Sequence, residues 1–182
     1  IAIGKLAMGT GDVSSVDGIA IGQMALQDLT TGYNNTGIGK CALGNSTTGC
    51  LNIALGNAAL SQADVTGINN IAIGTSSMDA LTTGICNVAI GVNALGASTT
   101  GCKNVAIGLT AMGAGDVSGA NNIAIGAVAA DAITTGSQNI AIGCNALGLA
   151  TTNENNVAIG RSALSVSADD ADFNVAIGYF AL

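Results

Sequence analysis

The sequence predicts an all-β protein, a parallel β-solenoid (β-roll) of 17- and 18-residue coils stacked as one repeat array over residues 1–182. A five-residue phrase such as Asn122-Ile123-Ala124-Ile125-Gly126 returns along the whole chain, its glycine recurring from Gly4 through Gly22, Gly39, Gly74 and Gly126 to Gly178. Successive glycines of this set are always one coil length apart, and a fixed short period marks a repeat architecture. Composition agrees. Only 8% of residues are charged and 49% are hydrophobic, yet the chain has no Trp and few aromatics, so it must bury apolar surface with small side chains.

Each unit opens with a large-Ala-large triplet, such as Ile123-Ala124-Ile125. Alternation with period two reads as a short strand whose large residues share one face while Ala points the other way. Glycine follows at every repeat, as expected where a corner needs a positive φ. Ala and Leu or Met come next, for instance Ala25-Leu26 and Ala146-Leu147, and build a second wall. Thr-Thr-Gly closes the coil at Thr82-Thr83-Gly84 and Thr134-Thr135-Gly136, and its replacement by Thr151-Thr152-Asn153 predicts a positive-φ turn at that glycine. Asn precedes the strand at Asn35, Asn87, Asn122, Asn139 and most other junctions, where stacked amides can bond along the axis or cap their own turn. Long helices are excluded, because glycine in a helix interior costs about 1 kcal/mol each and Thr-Thr-Gly-x-x-Asn is a turn cluster.

The long coils are spaced so that one long and two short coils make a block of 52 residues, with Asp12, Asp64 and Asp116 in register beside the extra residue. A three-coil super-repeat is the expected origin. About ten coils with a rise of roughly 4.8 Å give a rod about 50 Å long. The chain opens inside a motif and stops just after one, so it is expected to be a segment of a longer fibre.

The middle residue of the triplet is Ala in every unit but one, where Gly37 stands. The position just after the corner glycine, by contrast, varies through Lys5, Gln23, Lys40, Thr75 and Arg161. Such a constant Ala column predicts a covered face, and Ala20, Ala72, Ala124 and Ala141 are the expected contacts with neighbouring copies. The alternative has Ala lining the coil interior while Ile and Val meet the neighbour, and the sequence leaves both open.

Units such as Asn139-Ile140-Ala141-Ile142-Gly143 and Thr134-Thr135-Gly136-Ser137-Gln138-Asn139 resemble the repeats of trimeric fibrous adhesins, namely bacteriophage tail-fibre repeats and the heads of trimeric autotransporter adhesins. The resemblance covers nearly the whole chain. It departs from the autotransporter heads in its longer unit, and from the tail-fibre repeats in keeping Tyr after the glycine only at Tyr179. The resemblance implies a homotrimeric roll in a stiff shaft or head, outside the cell, on its surface or on a virion, with a cell-surface receptor or glycan as a further partner. An ice-binding solenoid, motivated by the stacked Thr pairs, and a self-assembling extracellular filament are the alternatives.

Little else points to chemistry. The chain has no His, so the commonest general base is absent, and no Ser or Thr has an evident activator; no catalytic residue and no cofactor are expected. Asp169, Asp170 and Asp172 form the one cluster worth weighing for calcium. Cys41, Cys50, Cys86, Cys102 and Cys144 lack zinc-site spacing and are expected to be free, buried thiols. A net charge of −7 without a basic stripe argues against nucleic acid, and no apolar run is long enough to span a membrane.

Overall fold

A computed structural model describes residues 1–9, 17–166 and 171–182. They form a parallel β-solenoid with one short strand per coil. The strands are β1 (Ala2–Ile3), β2 (Ile19–Ile21), β3 (Thr36–Ile38), β4 (Ile53–Leu55), β5 (Ile71–Ile73), β6 (Val88–Ile90), β7 (Val105–Ile107), β8 (Ile123–Ile125), β9 (Ile140–Ile142), β10 (Val157–Ile159) and β11 (Val175–Ile177). They make a single 11-stranded sheet in chain order. Every neighbouring pair is parallel and in strict register, Ala124 beside Ala106 and Ala141. Long coils keep that register: Ile53 still pairs with Ile71 although the coil between them holds the extra residue. The additional residue is absorbed in a turn.

The corner after the strand explains the recurrent glycine. Gly126 has φ +135, a region closed to side chains, and a Cβ built there would lie 2.6 Å from the carbonyl oxygen of Gly143. Two tight turns follow. Ala129 donates its N–H to the Gly126 carbonyl at 3.4 Å, and Ile133 donates to Ala130 at 3.2 Å. Between them, residues at two positions of each coil adopt left-handed backbone, Val128 at φ 50 and Ala130 at φ 48 in this coil. In other coils the second position is a leucine, such as Leu26 at φ 50 or Leu95 at φ 50. That conformation costs roughly 1–2 kcal/mol per non-glycine residue. Complete burial of the leucine side chain, worth roughly 1.5–3 kcal/mol, offsets it.

Orientation of the triplet is the main correction to the sequence reading. Ala20, Ala72, Ala124 and Ala141 are fully buried inside their own coil, packed with the Ala-Leu wall, and so are not available to a neighbouring copy. The lumen is narrow beside this wall. At Gly37, the one position without a Cβ, an added methyl would sit 3.0 Å from the Ala42 carbonyl oxygen and 3.2 Å from Leu26 Cγ. Ala is constant because the interior is one methyl deep at this wall. The paired Ile and Val residues therefore point outward.

A second correction concerns Thr-Thr-Gly. Its glycine is not among the positive-φ residues. Gly136 is required by proximity, since a Cβ there would approach the Asn153 carbonyl oxygen to 2.4 Å. The left-handed residue falls two positions later, at Asn34, Asn69, Gln138 or Asn155.

Candidate functional site

Three features of the rod could act outside it: the asparagine corner, the threonine edge and the outward sheet face. At the asparagine corner, Asn52 donates its backbone N–H to the Asn35 side-chain oxygen at 3.0 Å, and its own oxygen accepts from the Asn70 N–H at 2.9 Å. The same link continues through Asn87, Asn104, Asn122, Asn139 and Asn156 to Asn174. Nδ2 groups along the buried run also reach the next coil; Asn87 donates to the Gly101 carbonyl at 2.7 Å and Asn122 to that of Gly136 at 2.8 Å. Asn35, Asn87, Asn122 and Asn139 are at most 1% exposed, so this ladder satisfies buried backbone and is closed to solvent. Amide-to-amide bonding occurs, as Asn139 Nδ2 donates to the Asn122 side-chain oxygen at 3.1 Å. The buried Nδ2 groups cap the turn of the next coil, and among the described residues of this ladder only Asn174 bonds within its own turn, to the Asp172 carbonyl at 3.2 Å.

The threonine edge is divided by depth. The first hydroxyl of the pair is half-buried and bonds to the next coil, as Thr82 Oγ1 donates to the Thr99 carbonyl at 3.0 Å. The second is exposed at Thr31, Thr48, Thr83, Thr100 and Thr135, a single outward row. In the longer coils an aspartate reaches this edge. Asp64 accepts from the N–H and hydroxyl of Thr47 at 2.9 and 2.8 Å, and Asp116 does the same for Thr99 at 2.8 and 2.9 Å. These carboxylates close the end of a turn; their counterpart Asp12 lies outside the described residues.

Acidic residues elsewhere have similar work. Asp79 is 8% exposed, and burial pushes its carboxyl above the usual value of 3.8, opposed by hydrogen bonds from Gln62, Ser76 and the Ala80 backbone. Asp172 is exposed and accepts the Glu154 N–H at 2.7 Å, whereas Asp169 and Asp170 lie outside the described residues. Among the described residues no three His, Cys, Asp or Glu side chains are grouped as a metal site, and no pocket is present.

The cysteines are not buried as expected. Cys86 and Cys144 are exposed and Cys41, Cys50 and Cys102 half-buried, all as free thiols. Their places in turns leave each on or near the surface.

The outward sheet face is the largest apolar feature. Its two rows hold one residue each per strand, and interior members such as Ile38, Ile53, Ile125 and Ile142 are more than one-third exposed. Thr36 is the one polar residue in these rows. Next to them stand Val92 and Leu109 on one edge and Leu51 and Ile68 on the other, all exposed. A continuous exposed apolar strip is the kind of surface that contacts other molecules in proteins generally. Period-two alternation revealed the strip; which side it faced depended on lumen width, which has no signature in the triplet.

Comparison with protein-family models, with curated proteins and with solved structures finds no match for the chain. What the fold defines is a class, a parallel β-solenoid of about ten coils.

Proposed function

We propose that the protein is a structural segment of an extracellular or virion fibre, a homotrimeric stiff spacer in a tail-fibre or adhesin-like shaft or head that takes part in host or surface attachment. One observation carries this reading. Strand pairing runs without a break from β1 to β11, and the asparagine ladder bonds coil to coil from Asn35 to Asn174. Such a column transmits force along its axis and keeps its ends a set distance apart, about 48 Å for ten spacings of roughly 4.8 Å. The matching Thr47–Asp64 and Thr99–Asp116 pairs favour growth by a three-coil block of 52 residues. Mass in solution with electron microscopy tests the reading: a particle of three chains about 48 Å tall is expected, and a monomer with no elongated shape would remove it.

Ice binding is kept as a second reading because of the outward row that includes Thr48, Thr83 and Thr100. Inhibition of ice recrystallisation is its readout, and no effect at high concentration would eliminate it.

A further inference from the structure

We propose that Cys86 and Cys102 form a dithiol site that closes to an intrachain disulfide when a small-molecule disulfide oxidises it, clasping two successive coils with a covalent bond. The site depends on neither the fibre reading nor the number of chains in the particle.

Position in the coil sets which thiols can meet. Strand pairing matches Val88 with Val105, so Cys86 lies level with Lys103, and Ile85 with Cys102. The Lys103 N–H donates to the Ile85 carbonyl at 2.9 Å, which carries that register into the turn. Cys102 is thus one coil spacing up, roughly 4.8 Å, and one residue along, about 3.8 Å, from Cys86. The diagonal is about 6 Å, inside the roughly 4.4–6.8 Å between Cα atoms that a disulfide spans. On a plain strand, residues one step out of register would face opposite ways. Here Cys86 has left-handed backbone, φ 59, and the same kink in other coils leaves consecutive side chains exposed together, as at Tyr33 with Asn34 and Ile68 with Asn69. Cys86 is exposed and Cys102 half-buried, so both thiols are on the outer surface.

No other pair of the five cysteines is within reach. Cys50 lies two coil spacings from Cys86 and three from Cys102, whereas Cys41 and Cys144 follow corner glycines on the other edge of the sheet, six coils apart. Cys50 is also an internal comparison. It has the same place in its coil as Cys102, and each thiol donates to the carbonyl two residues back, Thr48 or Thr100, at 3.3 Å. What Cys102 has and Cys50 lacks is a thiol in an adjoining coil. To close the bond, Cys102 gives up its contact with Thr100. One cysteine thiolate attacks the small disulfide, forming a mixed disulfide and releasing one small thiol. The second thiolate then attacks the protein sulfur of that bond and expels the other. The two cysteines lose two protons and two electrons, and the small disulfide takes them up as two thiols.

Equilibration of the folded chain in a mixture of oxidised and reduced glutathione, followed by alkylation and peptide mass mapping, tests the site. A bond between Cys86 and Cys102 is expected, with Cys50 still open to alkylation, because a second thiol held nearby outcompetes free glutathione. Cys86→Ser should leave Cys102 as open to alkylation as Cys50, and Cys102→Ser should free Cys86. Serine suits both places: Ser76 and Ser162 hold left-handed backbone at φ 52 and φ 56, and Ser137, placed in its coil as Cys102 is, donates to the Thr135 carbonyl at 3.3 Å. The closed protein should melt about 5 °C above the reduced one, a difference that Cys86→Ser abolishes. Alkylation of all five thiols after this treatment, a glutathione adduct held at Cys86 or Cys102, or a bond between chains would overturn the site. Closure that leaves the melting temperature unchanged would overturn the clasp.

Discussion

Asn139 gives two hydrogen bonds to one atom of Asn122: its backbone N–H reaches the Asn122 side-chain oxygen at 3.0 Å and its own amide reaches it at 3.1 Å. Asn122 in turn holds the Gly136 carbonyl through its Nδ2 at 2.8 Å. A single side chain thus supplies partners for a buried donor above it and a buried acceptor in the facing turn.

Replacing that side chain with an isosteric hydrocarbon exposes the dependence. Asn122→Leu leaves the Asn139 N–H and the Gly136 carbonyl without it, at roughly 1–3 kcal/mol for each buried group. We expect a loss of about 3 kcal/mol in urea unfolding. Asn121→Ala, at the exposed neighbouring position with φ 61, should cost only about 1 kcal/mol, the strain of a non-glycine left-handed residue. Equal losses for the two variants would contradict the ladder's role.

Corner glycines separate two causes of intolerance. Gly126→Ala combines φ +135 with a Cβ 2.6 Å from the Gly143 carbonyl, and it should prevent folding of the adjoining coils. Gly178→Ala in residues 1–182 has nearly the same φ, +133, but its nearest contact is the Ala181 methyl at 3.9 Å. That variant should retain cooperative melting with a loss of about 1–3 kcal/mol, the cost of backbone strain alone.

The two faces of the strand should respond in opposite ways. Ala124→Glu places a carboxylate in a lumen one methyl deep, and the expected result is loss of soluble, folded protein. Ile125→Glu, whose side chain is more than one-third exposed, should leave soluble protein with the circular dichroism spectrum of wild type. Lys40→Glu, on an exposed position, should do likewise.

Asp79 sets the direction of one pH effect. Its folded carboxyl titrates above the unfolded value of 3.8, so between the two values the folded state binds more protons than the unfolded state. Stability from this group is therefore greatest below the unfolded value and falls as pH rises through the folded one. Asp79→Asn should remove that fall, making the variant's melting temperature gain on wild type as pH goes from acid to neutral. A difference between the two that does not change with pH would show that the carboxyl is unperturbed.

What could be read beforehand follows from which residues leave a mark in the sequence. Gly126 and Asn122 announced a corner and a buried amide because few other residues do those jobs. The left-handed backbone at Leu26 and Leu95 left no such mark, since leucine is chosen there for burial and its φ is imposed by the turn around it. Ala124 was legible as a covered residue, but both candidate covers, its own coil or a neighbour, predict the same small side chain. Only the distance across the lumen separates them. Gly136 misled differently: its Cβ-free site reflects the Asn153 carbonyl of the next coil, a contact that local turn chemistry does not encode.

The way in which length variation is absorbed has a bearing on how such a chain changes over generations. Ile53 pairs with Ile71 across a long coil as faithfully as Ile71 pairs with Val88 across a short one, and hydrogen bonds from each coil run to the coils directly before and after it. Misaligned recombination between two repeats of the gene would therefore delete or add whole turns whose cut surfaces already match. A lineage could lengthen or shorten its product in steps of a few ångströms without inventing a single new contact.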